Sequence, residues 1–288
     1  MKVPRYLPYL LILPACALLF LFKLYPLIYT VLESVFVKNE FTFRIYNTLL
    51  KDKVFWNSLW ITIKLSIVII PVQVTISVVL ALLANTTVKG IGVFRTIFFL
   101  PFTVSSAVAC VVWSLMFAPN NGVINSLLGL LNIPAQKFFL DPKQALWCIV
   151  MEASWVGCGY WMMFILAGLK NIDESIYESA RIDGAGFFTR LFKITLPLIK
   201  KVMLFVVVAN STANILMFTP MKLITNGGPL YSTNTLMYEA YKSAFVYSAR
   251  ARSAAIVTIL IVIVSMVCAL QFFLMRDQQE KAPRGKKA

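Results

Sequence analysis

The hydrophobic residues of the chain fall into long continuous runs that are separated by shorter polar segments. Each run has at least the roughly 20 mostly apolar residues that a helix needs to cross the hydrocarbon of a membrane. Because no water in the bilayer satisfies backbone polar groups, such segments form helices. We therefore predict an all-α membrane protein with about six transmembrane helices, over 7–32, 56–84, 96–117, 145–169, 200–222 and 252–275.

The first run has some features of a cleaved secretory signal, since Lys2 and Arg5 precede it and Leu13-Pro14-Ala15-Cys16 resembles a lipoprotein cleavage box. However, its apolar sequence continues to Val31, which is long enough to span the bilayer. We expect the run to be retained, so that residues 1–275 form one transmembrane domain. Residues 276–288 are polar and basic, and we expect them to form a disordered tail.

The composition agrees with a membrane protein, since 59% of the residues are hydrophobic and only 14% are charged. The net charge of +15 raises the question of nucleic acid. The basic residues lie between and beyond the apolar runs, where anionic lipid headgroups attract them, so we predict no nucleic-acid partner. We also predict no metal site, because there is no histidine and the cysteines lie inside apolar runs without metal-ligand spacing: Cys16, Cys110, Cys148, Cys158 and Cys268.

The distribution of lysine and arginine predicts the orientation of the chain. Fifteen basic residues fall in the segments on the side of the two termini, against ten on the opposite side. Since basic loops stay in the cytoplasm, both termini and the long loop 170–199 are predicted to be cytoplasmic.

The loop 170–199 carries the start and stop signals of a short helix. Asp173 is a good N-cap, and Ile172 and Tyr177 are spaced for a hydrophobic staple across it. Glu174 lies in the first turn, where the helix dipole favours negative charge, and Gly184 is placed to end the helix in a left-handed conformation. A second amphipathic segment follows, so we predict a helix-turn-helix at the cytoplasmic face. Such a hairpin either lies on lipid headgroups or docks a cytoplasmic partner.

A run of fixed spacing crosses this loop, namely Glu178-Ser179-Ala180, three residues, Gly184, nine residues, Ile194, one residue and Leu196-Pro197. It resembles the EAA signature of permease subunits of binding-protein-dependent ABC importers, with Ser179 in place of the usual alanine. Asp183-Gly184-Ala185 is also similar to the DGA form of the carbohydrate branch. The resemblance implies a type I importer permease fold, with ATPase coupling through Glu178, Ser179, Ala180, Asp183, Gly184 and Ala185.

Two further segments are similar to sugar-type permeases. One lies before the last span, and the resemblance implies that its Asn226, Gly227, Gly228 and Pro229 belong to an external loop. By itself, Gly-Gly-Pro is only a turn signal, and the glycine-containing stretch that usually follows is missing from 249–255. The other segment starts the third span, with Phe94-Arg95 followed by Phe98-Phe99-Leu100-Pro101.

The sequence has no phosphate-binding Gly-x-x-x-x-Gly-Lys-Ser/Thr loop, so ATP and Mg²⁺ are expected to be bound by other subunits. We predict no cofactor in this chain and no catalysis by it. The family resemblance implies two ATP-binding subunits docked on the EAA loops, a second permease in a heterodimer and an external solute-binding protein. It further implies a bacterial inner-membrane location among membrane lipids.

Polar residues inside the predicted spans are candidates for the translocation pathway, because they are expensive in lipid. Glu152 and Trp155 share a helix face, with Tyr160 nearby, and Asn210 and Asn214 are one turn apart. Aromatic rings, amides and a carboxylate are the groups that bind sugars. Weaker candidates are Gln73, Ser105 and Ser106. The alternative is that the asparagines and serines bond between helices as packing groups.

The substrate predicted from these features is a sugar or an oligosaccharide. Glycerol phosphate or another polar solute stays open as an alternative, although Lys64 alone offers little for an anion. An ion-coupled secondary carrier would need a buried charge relay, and Glu152 alone supports this poorly. A membrane enzyme acting on lipids would need clustered carboxylates or histidines, which the sequence lacks.

Overall fold

The computed structural model describes residues 7–37 and 40–280, and it is built almost entirely of helices. Among these residues, four helices have the length and composition of a membrane span: Leu10–Val35, Lys53–Ala84, Ala145–Lys170 and Arg250–Leu274. A bent pair, Ile91–Thr103 and Ser106–Met116, supplies a fifth if it counts as one span. The predicted all-α membrane fold is confirmed, while the predicted span over 200–222 is not among those found.

The α-helices, in chain order, are α1 Leu7–Leu19, α2 Tyr25–Val35, α3 Arg44–Leu50, α4 Lys53–Ala84, α5 Ile91–Thr103, α6 Ser106–Met116, α7 Val123–Leu130, α8 Ala145–Lys170, α9 Glu174–Ile182, α10 Phe187–Arg190, α11 Leu196–Leu198, α12 Lys200–Ile215, α13 Leu236–Phe245 and α14 Arg250–Glu280. π-helical turns occupy Phe20–Leu24, Leu191–Thr195 and Met221–Thr225, and a 3₁₀ turn occupies Phe138–Leu140. Strands β1 Phe36–Val37 and β2 Glu40–Phe41 form a small antiparallel pair in which Phe36 faces Phe41.

One compact unit comprises the chain up to Trp56 together with Leu236–Val262. Its centre holds a buried carboxylate, Glu239, of which 1% is exposed. Lys242 Nζ lies 3.0 Å and Arg252 Nη1 lies 2.9 Å from its two oxygens. A buried charge is tolerated only when it is paired, so these two ion pairs fix α13 against the start of α14.

The other unit comprises Asn57–Thr235 and the chain from Ile263 onward, and α8 forms its core. Buried apolar residues along α8, among them Met162 and Ile165, pack in one cluster with residues of α4 and α12. α5 crosses α8 at Gly159, where a Cβ atom would lie 1.7 Å from the carbonyl oxygen of Phe98. The crossing is therefore closer than any residue with a side chain allows.

The predicted continuous span 96–117 is wrong, because α5 and α6 meet at an angle of 98°. Pro101 lies in the last turn of α5 and has no N–H to donate to the carbonyl four residues back. Val104 then takes an extended conformation, and its N–H bonds to the Pro101 carbonyl instead of continuing the helix.

The predicted continuous span 200–222 is also interrupted, since α12 ends at Ile215. Pro220 cannot donate the backbone bond that a continuous helix would direct at Leu216, and a π-helical turn follows it. At the other end of the chain, α14 continues through Glu280. The prediction of a disordered tail is thus wrong over 276–280, and 281–288 lie outside the described residues.

The crossing at Gly159 generates a test of the fold. Gly159→Ala places a methyl group against the Phe98 carbonyl, and such overpacking costs about 1–3 kcal/mol or more. We expect a clear fall in the melting temperature of the purified protein. Gly92→Ala, on α5 with no atom within 4 Å of the added Cβ, is the matched control and should change stability by no more than about 0.5 kcal/mol. Equal melting temperatures for the two variants would contradict the close crossing.

Candidate functional site

Three buried amide side chains form one hydrogen-bonded cluster in the centre of the helices. Gln73 Oε1 on α4 accepts bonds from Nδ2 of Asn210, at 2.7 Å, and of Asn214, at 2.9 Å, both on α12. Gln73 Nε2 donates to the backbone carbonyl of Ala153 on α8, at 2.8 Å. Asn214 Nδ2 is also 3.0 Å from Asn210 Oδ1. The structure thus brings the two predicted asparagines together and adds Gln73 as their centre.

This amide cluster is closed to solvent, since at most 5% of any of the three residues is exposed. The bonds of the cluster run between helices, which is how polar residues hold membrane helices together. A Cβ on Gly157 would lie 3.1 Å from Gln73 Nε2, so α8 also approaches closely here. In this conformation the asparagine face holds α4, α8 and α12 together, as in the packing alternative.

Glu152 has a different environment, although only 2% of it is exposed. Its Oε1 has one weak contact, 3.9 Å from the Cys110 thiol on α6. Its Oε2, the indole Nε1 of Trp113 on α6 and the Ser154 hydroxyl are buried without a hydrogen-bond partner in the described part of the chain. A buried polar group without a partner costs about 1–3 kcal/mol. The contact between α6 and α8 therefore holds a carboxyl oxygen of Glu152 and the indole N–H of Trp113 that a polar ligand could satisfy.

Two aromatic residues of α8, Trp155 and Tyr160, contact two different neighbouring helices. Trp155 meets Trp113 of α6 edge-on, with ring centroids 5.9 Å apart, so it lies on the same side as Glu152, as predicted. Tyr160 stacks on Phe102 of α5 with centroids 4.1 Å apart. The predicted pathway residues therefore form three groups rather than one site.

Sequence reasoning missed two members of the Glu152 group, Cys110 and Trp113. They are spaced by three residues on α6, so the spacing of polar and aromatic residues was a usable signal. Ser154 and Trp155 also line an apolar groove of about 440 Å³ between α4, α5 and α8.

The loop 170–199 forms the predicted hairpin, and its first helix is capped at both ends. The Asp173 carboxylate accepts a bond from the backbone N–H of Ser175 at 3.0 Å, which lowers the pKa of that carboxyl. Gly184 has φ +75°, in the left-handed region. Ala185 N–H bonds to the Ala180 carbonyl and Gly184 N–H to that of Arg181, which is the Schellman pattern. The predicted cap and turn are confirmed.

The predicted coupling residues differ in exposure. Glu178, Ser179, Asp183 and Gly184 are exposed, and Ala185 is half-buried. Ala180 is only 7% exposed, so packing within the chain already explains its small side chain.

The hairpin also carries exposed apolar residues and an internal hydrogen bond. Ile182, which sequence reasoning did not single out, is 86% exposed at the end of α9. Phe188, at the start of the second arm, is 71% exposed. Tyr177 shares a hydrogen bond of 3.1 Å with Thr195, which ties the two arms together.

The segment predicted as an external loop forms a tight turn. Asn226 and Gly227 both have positive φ, and Gly228 N–H bonds to the Thr225 carbonyl at 2.9 Å. Thr233 closes the turn by donating to the Gly228 carbonyl at 2.8 Å. Pro229 lies within this turn, so the turn signal was correct, while an external role of the loop stays a prediction.

Comparison with known proteins identifies the family. The family model described as "Binding-protein-dependent transport system inner membrane component" matches residues 73–281. The chain belongs to this family. The permease is 33% identical over 282 residues to the lactose transport system permease protein LacF of Rhizobium radiobacter, covering 94% of each chain. It is also 33% identical to the sn-glycerol-3-phosphate transport system permease protein UgpA of Agrobacterium fabrum, over 93% of this chain and 94% of that one.

Solved structures show the same fold. The permease matches a chain of a bacterial ABC transporter involved in the import of the acidic polysaccharide alginate, with a TM-score of 0.86 and 20% identity, over 94% of this chain and 96% of that one. It also matches a chain of a bacterial alginate ABC transporter in complex with an alginate pentasaccharide-bound periplasmic protein, with a TM-score of 0.84 and 21% identity, over 94% of each chain. The resemblance seen in the EAA-like segment is therefore confirmed, and the permease has the fold of a type I ABC importer subunit. It is a multi-pass membrane protein and a transport component.

The amide cluster predicts a graded loss of stability. Gln73→Leu removes three interhelical bonds, each worth about 0.6 kcal/mol on average in membrane proteins, and leaves the two asparagine amides underpaired. Gln271→Leu is the control, since Gln271 Nε2 donates one bond, to Ser211. We expect the Gln73 variant to lower the melting temperature about three times as much as the control. An equal or smaller shift would mean that the cluster does not hold the helices together.

Proposed function

We propose that the chain forms half of the translocation pathway of an ABC importer for a sugar or an oligosaccharide. The observation that carries this proposal is the group of unsatisfied polar atoms around Glu152, beside the ring of Trp155. A carboxylate and an indole N–H bond to hydroxyl groups, and an aromatic ring packs against the apolar face of a sugar ring. The names of two relatives, one a lactose permease and one a glycerol-phosphate permease, support a polyhydroxylated substrate.

The residues around Glu152 favour a neutral substrate over an anionic one. Glu152 is an acid, and no lysine or arginine lines the adjoining groove. A phosphate ester placed there would find no cation to pair with its charge, so a neutral sugar fits better. Glycerol phosphate remains the second candidate because several relatives carry that name.

The assembly that this function needs follows from the hairpin. Two ATP-binding subunits, which hold ATP and Mg²⁺, would dock on the hairpins of this chain and of a second permease. Glu178 is exposed and able to form a charge-assisted bond, and Ile182 and Phe188 supply exposed apolar surface. The turn of Asn226 and Gly227 would face an external solute-binding protein. This arrangement places the hairpin and both termini in the cytoplasm, in line with the basic residues on that side.

Transport by proteoliposomes containing the assembled importer tests the substrate. Glu152→Gln keeps the shape of the side chain but replaces a carboxyl oxygen with an amide N–H₂, so a bond from a sugar hydroxyl is lost, and a buried polar group left unpaired costs about 1–3 kcal/mol. We expect the concentration of sugar for half-maximal uptake to rise roughly tenfold or more. Glu40→Gln, at an exposed position, should leave uptake unchanged. Lactose and glycerol 3-phosphate are compared as labelled substrates. Normal sugar uptake by the Glu152 variant, or faster uptake of the phosphate ester, would contradict the proposal.

A pair of glycines tests docking through the hairpin. Gly184→Ala forces a side chain into the left-handed region, which costs about 1–2 kcal/mol, whereas Gly186→Ala enters ordinary extended backbone at φ −68°. No atom lies within 4 Å of an added Cβ at either site, so conformation alone differs. We expect Gly184→Ala to weaken ATPase retention on co-purification by roughly five- to thirtyfold. The Gly186 variant should retain the ATPase normally. Equal retention by both variants would show that this turn does not shape a docking surface.

A further inference from the structure

A cavity of about 590 Å³ lies between the cytoplasmic hairpin and the helix ends beside it. Its walls come from the end of α4, the start of α5, the end of α8 and both arms of the hairpin. None of the sugar-binding candidates or the exposed coupling residues discussed above lines it. Any role of this cavity is therefore separate from the pathway and from the tip of the hairpin.

The cavity is strongly basic. Four cations line it, Arg95, Lys170, Arg181 and Arg190, against a single carboxylate, that of Glu174. None of the four forms an ion pair with a described residue. Groups of like charge repel one another, so gathering them without counter-charges is unfavourable unless an anion joins them.

Two of the guanidinium groups are incompletely bonded. Arg95 donates from Nη2 to the Ala84 carbonyl at 2.7 Å, the last residue of α4, but its Nε is buried without a partner. The Nε of Arg190 is buried without a partner as well. Since buried donors normally have acceptors, these two atoms indicate that an acceptor absent from the chain completes them.

We propose that this basic cavity binds a phosphate group, carried by an anionic phospholipid or by a free phosphate. Guanidinium groups bind phosphate through paired N–H donors. The cavity lies where α4 and α8, two membrane spans, come to an end at Ala84 and Lys170. This is the depth of lipid headgroups, and basic pockets between helices at the cytoplasmic side bind such headgroups. Leu82, Leu169 and Phe187 give the cavity an apolar side for the start of an acyl chain.

A bound phosphate would join two parts of the permease. Arg95 and Lys170 belong to the spans, whereas Arg181 and Arg190 belong to the two arms of the hairpin. An anion held by both pairs would fix the hairpin against the spans. An effect of the bound phosphate on ATPase activity would rest on the proposed function, whereas binding of the phosphate group itself does not.

The test uses the full-length chain with the subunits that co-purify with it, in nanodiscs of phosphatidylcholine with or without phosphatidylglycerol. Native mass spectrometry counts the retained lipids. We expect wild type to retain phosphatidylglycerol, and Arg190→Gln to retain about fivefold less, the factor for one basic residue at an anionic surface. The Arg190 side chain forms no hydrogen bond or ion pair with the described part of the chain, so its replacement should leave the fold intact. Arg95→Gln should act likewise, and Lys193→Gln, exposed on the same arm outside the cavity, should retain lipid normally.

A second measurement separates the two phosphate sources. In phosphatidylcholine alone, added inorganic phosphate is titrated while the melting temperature is followed. If phosphate raises the melting temperature of wild type but not of Arg190→Gln, and phosphatidylglycerol is not retained selectively, the site binds free phosphate. If phosphatidylglycerol is retained selectively, the site binds the lipid headgroup. The proposal is overturned if wild type, both arginine variants and Lys193→Gln behave alike in both measurements. It is also overturned if the arginine variants only lose the ATPase, since the cations would then belong to a protein interface.

Discussion

The constraint that organises the second unit is that a polar group inside the bilayer must find its partner within the protein. Gln73 meets this constraint for three helices at once, because its amide bonds to Asn210, to Asn214 and to the carbonyl of Ala153. The Gln73 amide does this by accepting two bonds at Oε1 and donating one from Nε2, whereas an ionised carboxylate has no donor. The positions of α4, α8 and α12 are therefore coupled, and the close approach at Gly157 follows from the same contact.

The same constraint separates structural polar residues from those able to bind a ligand. The side chains of the amide cluster bond to one another and to the Ala153 carbonyl. In this conformation they leave few donors and acceptors for a substrate. Glu152 Oε2 and Trp113 Nε1 are also buried but have no hydrogen-bond partner in the described part of the chain. Under the proposed function, a sugar in the pathway would bond to them. These two atoms are therefore better candidates for a ligand site than the amide cluster, although polarity alone does not separate the two groups. Composition could not make this distinction, since asparagine and glutamate were equally plausible candidates for the pathway.

Local features were predictable from the sequence, and features set by distant residues were not. Asp173 and Gly184 act through hydrogen bonds within five residues, so their roles could be read from spacing. The burial of Ala180 depends on packing that no local pattern contains. The interruptions at Pro101 and Pro220 had a visible cause, but averaging over a long apolar run conceals a single proline. The basic cavity was not predicted, because its cations come from four segments that only the fold brings together.

The hairpin is shaped both by local interactions and by interactions between residues that are distant in the sequence. Its turn is set by the left-handed Gly184, and its arms are tied by the bond between Tyr177 and Thr195. These two contacts join the arms of the hairpin at both of its ends. At that base, Arg181 and Arg190 face Arg95 and Lys170 of the spans across a cavity rather than through bonds within the chain. With one carboxylate, that of Glu174, against four cations, the base of the hairpin is joined to the spans through few bonds of its own, and under the proposal above a bound anion would add that connection.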